Sequence, residues 1–254
     1  MALTSCASEA IVTLASAVRR LLHAVLPVQC TTCDVALSDD PVPFFCRSCW
    51  ESIQPLRGPF CPCCGRPFAS SYALQHSPDH LCGPCRSDPP AYTRAWSLYP
   101  YASPLQEAVR LFKYNKKVAL ADALGALMNR ATIESIHIDM IIPVPLHPAR
   151  LRTREYNQSL LLADRISRAR HIPISYDNLI RTRETAPQTD LSRAVRLKNL
   201  RRAFAVRRPQ DIAGRHVLIV DDVFTTGTTV NECAKALRKA GASEVYVCTL
   251  ARTV

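Results

Sequence analysis

Four Cys-x-x-Cys pairs crowd into the first 85 residues of this 254-residue chain: Cys30 and Cys33, Cys46 and Cys49, Cys61 and Cys64, Cys82 and Cys85. Each spacing lets two thiolates of one tight turn reach the same tetrahedral ion at about 2.3 Å. Eight ligands make two zinc sites of four, and the gap of residues 65 to 81 between the third and fourth pairs falls in the zinc-ribbon range. A disulfide framework is the alternative. It is disfavoured because the longest early apolar stretch, Ala10 to Ala17, is followed by Arg19 and Arg20, the reverse of a secretory signal, so a reducing, cytoplasmic setting is expected. Use of the first pair with the second and the third with the fourth is the preferred pairing; a cross-braced set joining first with third fits the spacing too. His76 and His80 are read as surface histidines and Cys63 as the outward residue of its turn. Cys6, Cys233 and Cys248 are read as small buried hydrophobes. Both zincs are expected to be structural, since a catalytic zinc keeps one position open to water. So short a segment has little core of its own, and metal would supply most of its folding free energy.

Hydrophobic residues at 48% and charged residues at 21% exclude wholesale disorder, collagen and a coiled coil. No run approaches the roughly 18 uncharged apolar residues of a membrane span. Ile11, Leu14, Val18, Leu21, Leu22 and Val25 recur at helical spacing, predicting an amphipathic helix that ends before Pro27. The expected organisation is that helix in residues 1–28, a cysteine-rich region over 29–92 and an α/β domain over 93–254.

The formal charge of +11 is concentrated. Residues 147–170 carry six arginines against Glu155 and Asp164, and residues 181–208 carry nine Arg or Lys against Glu184 and Asp190. Such a field favours a polyanion, either a pyrophosphate or a nucleic acid. An arginine-rich solvated face is the plainer account of any single one of these side chains.

Val217-Leu218-Ile219-Val220 reads as a central parallel strand buried on both faces, ending in Asp221 and Asp222. After Val223-Phe224-Thr225-Thr226-Gly227-Thr228-Thr229, the residues Val230, Cys233, Ala234, Leu237 and Ala240 keep helical spacing up to Gly241, and Glu244 to Leu250 forms another strand. This strand–loop–helix–strand unit puts its loop at the carboxyl edge of the sheet, where open α/β folds bind ligands. Gly227 permits a turn that aims amides inward, the threonines add hydroxyls, and the helix offers its positive end to a phosphate monoester. No Gly-Lys-Ser/Thr follows, which excludes a Walker loop. The two carboxylates suit the vicinal hydroxyls of a sugar, with magnesium close by.

The thirteen residues from Val217 to Thr229 resemble the phosphoribosyl pyrophosphate (PRPP) signature of type I phosphoribosyltransferases. Together with the cysteine pairs, nearly the whole chain resembles the ComF (ComFC) family of competence-associated proteins. That resemblance implies an α/β fold, a type I phosphoribosyltransferase-like parallel sheet flanked by helices, with a small N-terminal double zinc ribbon. It implies that Thr225, Thr226, Gly227, Thr228 and Thr229 hold the 5'-phosphate and that Pro143-Val144-Pro145-Leu146 before His147 form the pyrophosphate loop. Read without the family, a strand running into two prolines is a rigid edge loop whose amides suit an anion, or a plain strand terminator. Arg152-Thr153-Arg154-Glu155-Tyr156-Asn157-Gln158 resembles the family's Gly-Phe-Asn-Gln motif, with Glu155 where glycine is usual. Arg181, Arg183, Thr185, Gln188, Arg196, Asn199 and Phe204 resemble its second basic motif, and Lys113 its upstream lysine.

Two functions follow as expectations. In the first, the chain transfers a phosphoribosyl group: Asp221 and Asp222 hold the ribose hydroxyls, magnesium bridges ribose and pyrophosphate, and Arg154 helps pyrophosphate leave. Nothing names the acceptor. In the second, it is a non-catalytic competence factor that binds single-stranded DNA and uses the same site for PRPP or another ribose 5-phosphate ligand. Lys113, Arg152, Asn157, Gln158, Arg181, Arg183 and Arg196 would then contact pyrophosphate or nucleic acid, with Tyr114, Tyr156, Tyr176 and Phe204 as stacking candidates. The family resemblance implies a role in DNA uptake, with proteins of the competence machinery as partners.

Overall fold

Uninterrupted β-branched and aliphatic runs in this chain become strands covered on both faces. In the computed structural model, which describes residues 28–70, 72, 74, 77–130, 136–183 and 202–254, β1 (Arg94–Pro100), β2 (Met140–Pro143), β5 (His216–Phe224) and β6 (Glu244–Arg252) form a parallel sheet in the order β1-β6-β5-β2. A short antiparallel pair, β3 (Leu179–Arg181) with β4 (Phe204–Val206), stands apart from it. The helices between the strands of the sheet are α3 (Leu105–Tyr114), α4 (Ala121–Met128), α5 (Pro148–Arg154), α6 (Gln158–Arg170) and α7 (Thr228–Lys239). Two five-residue helices, α1 (Arg47–Glu51) and α2 (Gly83–Ser87), belong to the cysteine-rich segments.

Residue alternation sorts β5 between two layers. Val217 and Ile219 share a core with Val230, Cys233, Ala234 and Leu237 of α7. Leu218 and Val220, also fully buried, point to the other face, where α6 packs on β2 and β5. β5 runs on through the acidic pair to Phe224, four residues past the apolar run. Its parallel partner β6 continues to Arg252 and keeps those residues hydrogen-bonded, with Phe224 opposite Arg252. Asp221 and Asp222 are therefore strand residues with fixed backbones.

The described residues fall into two compact units. One comprises residues up to Ile53 with Ser103–Glu107, and the other Gln54–Ala102 with Ala108–Val254. Each contains one cysteine tetrad, and the two tetrads repeat one backbone plan. The amide of Cys30 donates to the Val35 carbonyl at 2.8 Å and that of Cys61 to the Arg66 carbonyl at 2.8 Å. The amides of Asp34 and Gly65 return to Cys30 and Cys61 at 2.9 Å, both from left-handed backbone with φ 59° and 66°. In the second unit the tetrad shares the α7-side core of the sheet: Cys61, Cys64, Cys82 and Cys85 cluster with Tyr92, Ala95 and Phe224. Its knuckle is tied to β1 by the Ala95 amide, which donates to the Cys63 carbonyl at 2.8 Å.

Candidate functional site

The thiols assemble in sequential pairs. The sulfurs of Cys30, Cys33, Cys46 and Cys49 lie within 4.8 Å of one another, as do those of Cys61, Cys64, Cys82 and Cys85. A tetrahedral zinc at about 2.3 Å from each sulfur holds them about 3.8 Å apart. Cys33 to Cys46 is 3.7 Å and Cys64 to Cys82 is 3.6 Å, so both sets fit the ion. Backbone amides support the thiolates: Cys46 donates to Cys30 Sγ and Cys82 to Cys61 Sγ, both at 3.4 Å. Four sulfurs close each coordination sphere, which makes the two zincs structural. Cys63 stands outside its tetrad and Cys233 and Cys248 are buried. Cys6, His76 and the helix expected over residues 9–25 lie outside the described residues.

The second assembly gathers at the carboxyl ends of β2 and β5. Asp222 is buried and its Oδ2 accepts from Lys113 Nζ of α3 at 2.9 Å. Asp221 Oδ1 accepts from the Ser159 hydroxyl at 2.8 Å and from the Asp222 amide at 2.9 Å. Burial, reinforced by the neighbouring Asp222 carboxylate, pushes the Asp221 carboxyl up to about 7 against the pull of Lys113. Lys113 itself is held above the ordinary lysine range: its burial disfavours the cation, but the two carboxylates outweigh that.

Gly227 caps α7 with φ 76°, a left-handed conformation that glycine adopts without steric cost. A Cβ there would lie 2.5 Å from Phe224 Cζ, so the loop rests on that ring. Thr226 and Thr228 share a hydroxyl hydrogen bond of 2.8 Å, Thr225 is exposed, and Thr228 and Thr229 begin the first turn of α7. The arrangement presents hydroxyls and a helix N-terminus together, a combination chemically suited to an anion.

Pro143 closes β2, and the Val144 amide donates to Val220 at 2.9 Å, carrying the strand pairing into the prolyl loop. Asn157 both caps α6, accepting from the Ser159 amide at 3.1 Å, and donates to the Val144 carbonyl at 3.0 Å. It thus ties the Pro143–Leu146 loop to α6. Gln158 is buried and its Oε1 accepts from Arg154 at 3.0 Å. Arg154 also lies over the Tyr114 ring at 5.0 Å, and that ring is 59% exposed. Glu155 has φ 69°, the left-handed turn for which the family's usual glycine is suited, and it pairs with Lys116. Arg152 and Arg183 are exposed, whereas Arg181 is buried over the Phe204 ring at 5.7 Å. Arg196, with Thr185, Gln188 and Asn199, lies outside the described residues.

Sequence reasoning did not single out Ser159 or Arg252. Ser159 lies in the first turn of α6, after its N-cap Asn157, and no local pattern marks it as a partner of Asp221. Arg252 is buried, donates from Nη1 to the Cys64 carbonyl at 2.8 Å, and lies over the Phe224 ring at 4.9 Å.

The phosphoribosyl transferase domain family matches residues 157–253 and the double zinc ribbon family residues 21–86. The DNA utilization protein YhgH of Shigella flexneri is 38% identical over 203 residues, 76% of this chain and 84% of that protein. The chain belongs to the ComF family. Other members agree: Competence protein F of Haemophilus influenzae is 33% identical, covering 82% of this chain and 90% of that one. Competence protein ComFC of Bacillus subtilis is 26% identical, covering 88% and 95%. This ComF-family protein carries the phosphoribosyltransferase fold and the double ribbon together. No helix among its described residues is long and apolar enough to cross a membrane.

Proposed function

We propose that this ComF-family protein binds PRPP with magnesium at the Asp221–Thr229 edge and transfers its phosphoribosyl group to a nitrogen acceptor in the service of DNA uptake. The observation that carries the reading is the juxtaposition of two carboxylates fixed in β5 with the Gly227 cradle at the start of α7. The cradle takes the 5'-phosphate. The carboxylates accept from the ribose hydroxyls, and magnesium, when bound, neutralises pyrophosphate charge. Lys113 leaves Asp222 for the ligand's phosphates or stays as its counter-ion. Arg154, held by Gln158, would stabilise the leaving pyrophosphate. The bond from C1' to the pyrophosphate oxygen breaks and one from C1' to the acceptor nitrogen forms, with electrostatic stabilisation as the main contribution. The relatives named for competence and DNA utilization support the link to DNA.

A second reading has its own observation. The exposed Tyr114 ring carries Arg154 on one side, a platform on which a base of single-stranded DNA can stack. In that case the PRPP-type site recognises a ligand without turnover. Calorimetric titration of PRPP with and without magnesium, followed by a pyrophosphate-release assay, separates the two. Magnesium-dependent binding with pyrophosphate release supports transfer; binding without release under every acceptor tried supports recognition. Equal affinity in wild type and the Asp221→Asn, Asp222→Asn variant overturns the site.

A further inference from the structure

A cavity of about 150 Å³ is lined both by Cys64, Cys82 and Cys85 of the second tetrad and by Thr225, Thr226 and Gly227 of the phosphate loop. Arg252 lines it as well. The residue is 3% exposed, its Nη1 donates to the Cys64 carbonyl, and its Cζ lies 4.9 Å from the centroid of Phe224, the ring on which Gly227 rests. Nε has no hydrogen-bond partner, and no salt bridge to Arg252 occurs among the described residues. A buried guanidinium without a carboxylate is costly unless another negative group answers it. Four thiolates around one divalent zinc carry two negative charges, and this tetrad is buried at all four cysteines, whereas Cys33 of the first tetrad is exposed. A zinc-bound tetrad would supply that counter-charge to Arg252, which already touches it at the Cys64 carbonyl.

We propose that Arg252 is a positioning residue through which the second zinc site holds the phosphate loop in its binding shape, so that metal at Cys61, Cys64, Cys82 and Cys85 sets the affinity for a phosphate monoester. The chain of contacts runs from the tetrathiolate to Arg252, to Phe224, to Gly227. Tyr92 meets the same ring edge-on at 6.5 Å, and Asn231 Oδ1 of α7 accepts from the Ala91 amide at 2.7 Å, so direct contacts tie the tail of the ribbon to the start of α7. The first tetrad has its own small core of Cys30, Leu37 and Cys46 and offers an internal control.

The inference rests on the PRPP-site reading, and one set of titrations separates their fates. Ribose 5-phosphate and magnesium–PRPP are titrated into full-length, zinc-loaded wild type, Arg252→Gln, Arg252→Lys, Cys85→Ser and Cys33→Ser, with zinc per chain and melting temperature measured on each sample. Expected are two zincs and an affinity lowered on the order of tenfold in Arg252→Gln, with most of it recovered in Arg252→Lys, which keeps the charge. Cys85→Ser loses one zinc and the same affinity; Cys33→Ser loses one zinc and binds as wild type. Where Cys85→Ser does not fold, the Gln and Lys pair decides. Wild-type affinity in zinc-loaded Arg252→Gln overturns the inference and leaves the PRPP reading standing, as does a loss that Lys does not restore. Wild type that binds neither probe overturns the PRPP reading itself and the inference with it.

Discussion

At the scale of the residue, Asp221 is where stability and ligand binding pull apart. Its carboxyl sits at about 7 in the fold and near 3.9 in an unfolded chain. The folded state therefore holds the extra proton between those values, and stability falls as pH rises through that window. Asp221→Asn is expected to remove the penalty: its melting temperature should equal that of wild type near pH 4 and exceed it above pH 7. On the proposed reading, magnesium-dependent PRPP affinity is expected to run the other way, strengthening as the carboxyl ionises near pH 7, with the Asn variant flattening that profile. Melts and titrations across pH 4 to 9 check both signs. Lys113 is the complementary case. Lys113→Met strips the counter-ion from buried Asp222 and is expected to cost about 3–5 kcal/mol, read by chemical denaturation. Glu155 holds a left-handed turn that disfavours a side chain, so Glu155→Gly is expected to stabilise by about 1 kcal/mol in the same assay.

At the scale of the element, the two ribbon turns share a conformation but not a constraint. Asp34 and Gly65 both have positive φ, yet a Cβ on Gly65 would lie 2.6 Å from the Ala95 carbonyl oxygen of β1. Aspartate is thus tolerated in the first turn, while the second needs glycine because backbone approaches backbone. Gly65→Ala is expected to lower the melting temperature of the second unit and weaken retention of one zinc, and Asp34→Gly to do neither; differential scanning calorimetry with metal analysis decides. Much of this was legible beforehand. The cysteine spacing gave the tetrads, the apolar run gave β5, and Gly227 gave the cap of α7, because each is a local pattern with one cheap geometry. The extension of β5 through Asp221 and Asp222 was not legible, since it depends on β6 supplying partners as far as Arg252. Nor were the Ser159–Asp221 and Arg252–Cys64 contacts, which join residues 62 and 188 positions apart. Such pairs follow from how α6 and β6 lie against their neighbours and leave no periodic trace. The same holds for the contacts by which Asn157 holds the prolyl loop and Gln158 holds Arg154.

At the scale of the whole molecule, metal and sheet are one folding problem in the second unit. Cys61, Cys64, Cys82 and Cys85 sit in the same core as Ile219, Val247 and Leu237, so the second zinc stabilises the sheet as well as the ribbon. The Cys64 thiol of the metal-free chain is pushed up to about 11 by burial, hence protonated at neutral pH, and zinc must displace that proton to bind. Affinity for this zinc consequently falls as pH falls. A chelator series between pH 8 and pH 5.5 is expected to remove both zincs, with the melting of the sheet-bearing unit dropping in step with loss of the second one. Cys33→Ser, which disables the first tetrad, isolates that step: its remaining zinc should leave at the same pH as the drop in melting temperature. If the sheet unit keeps its melting temperature after both zincs are gone, the shared core is not held by metal, and the ribbon is an appendage.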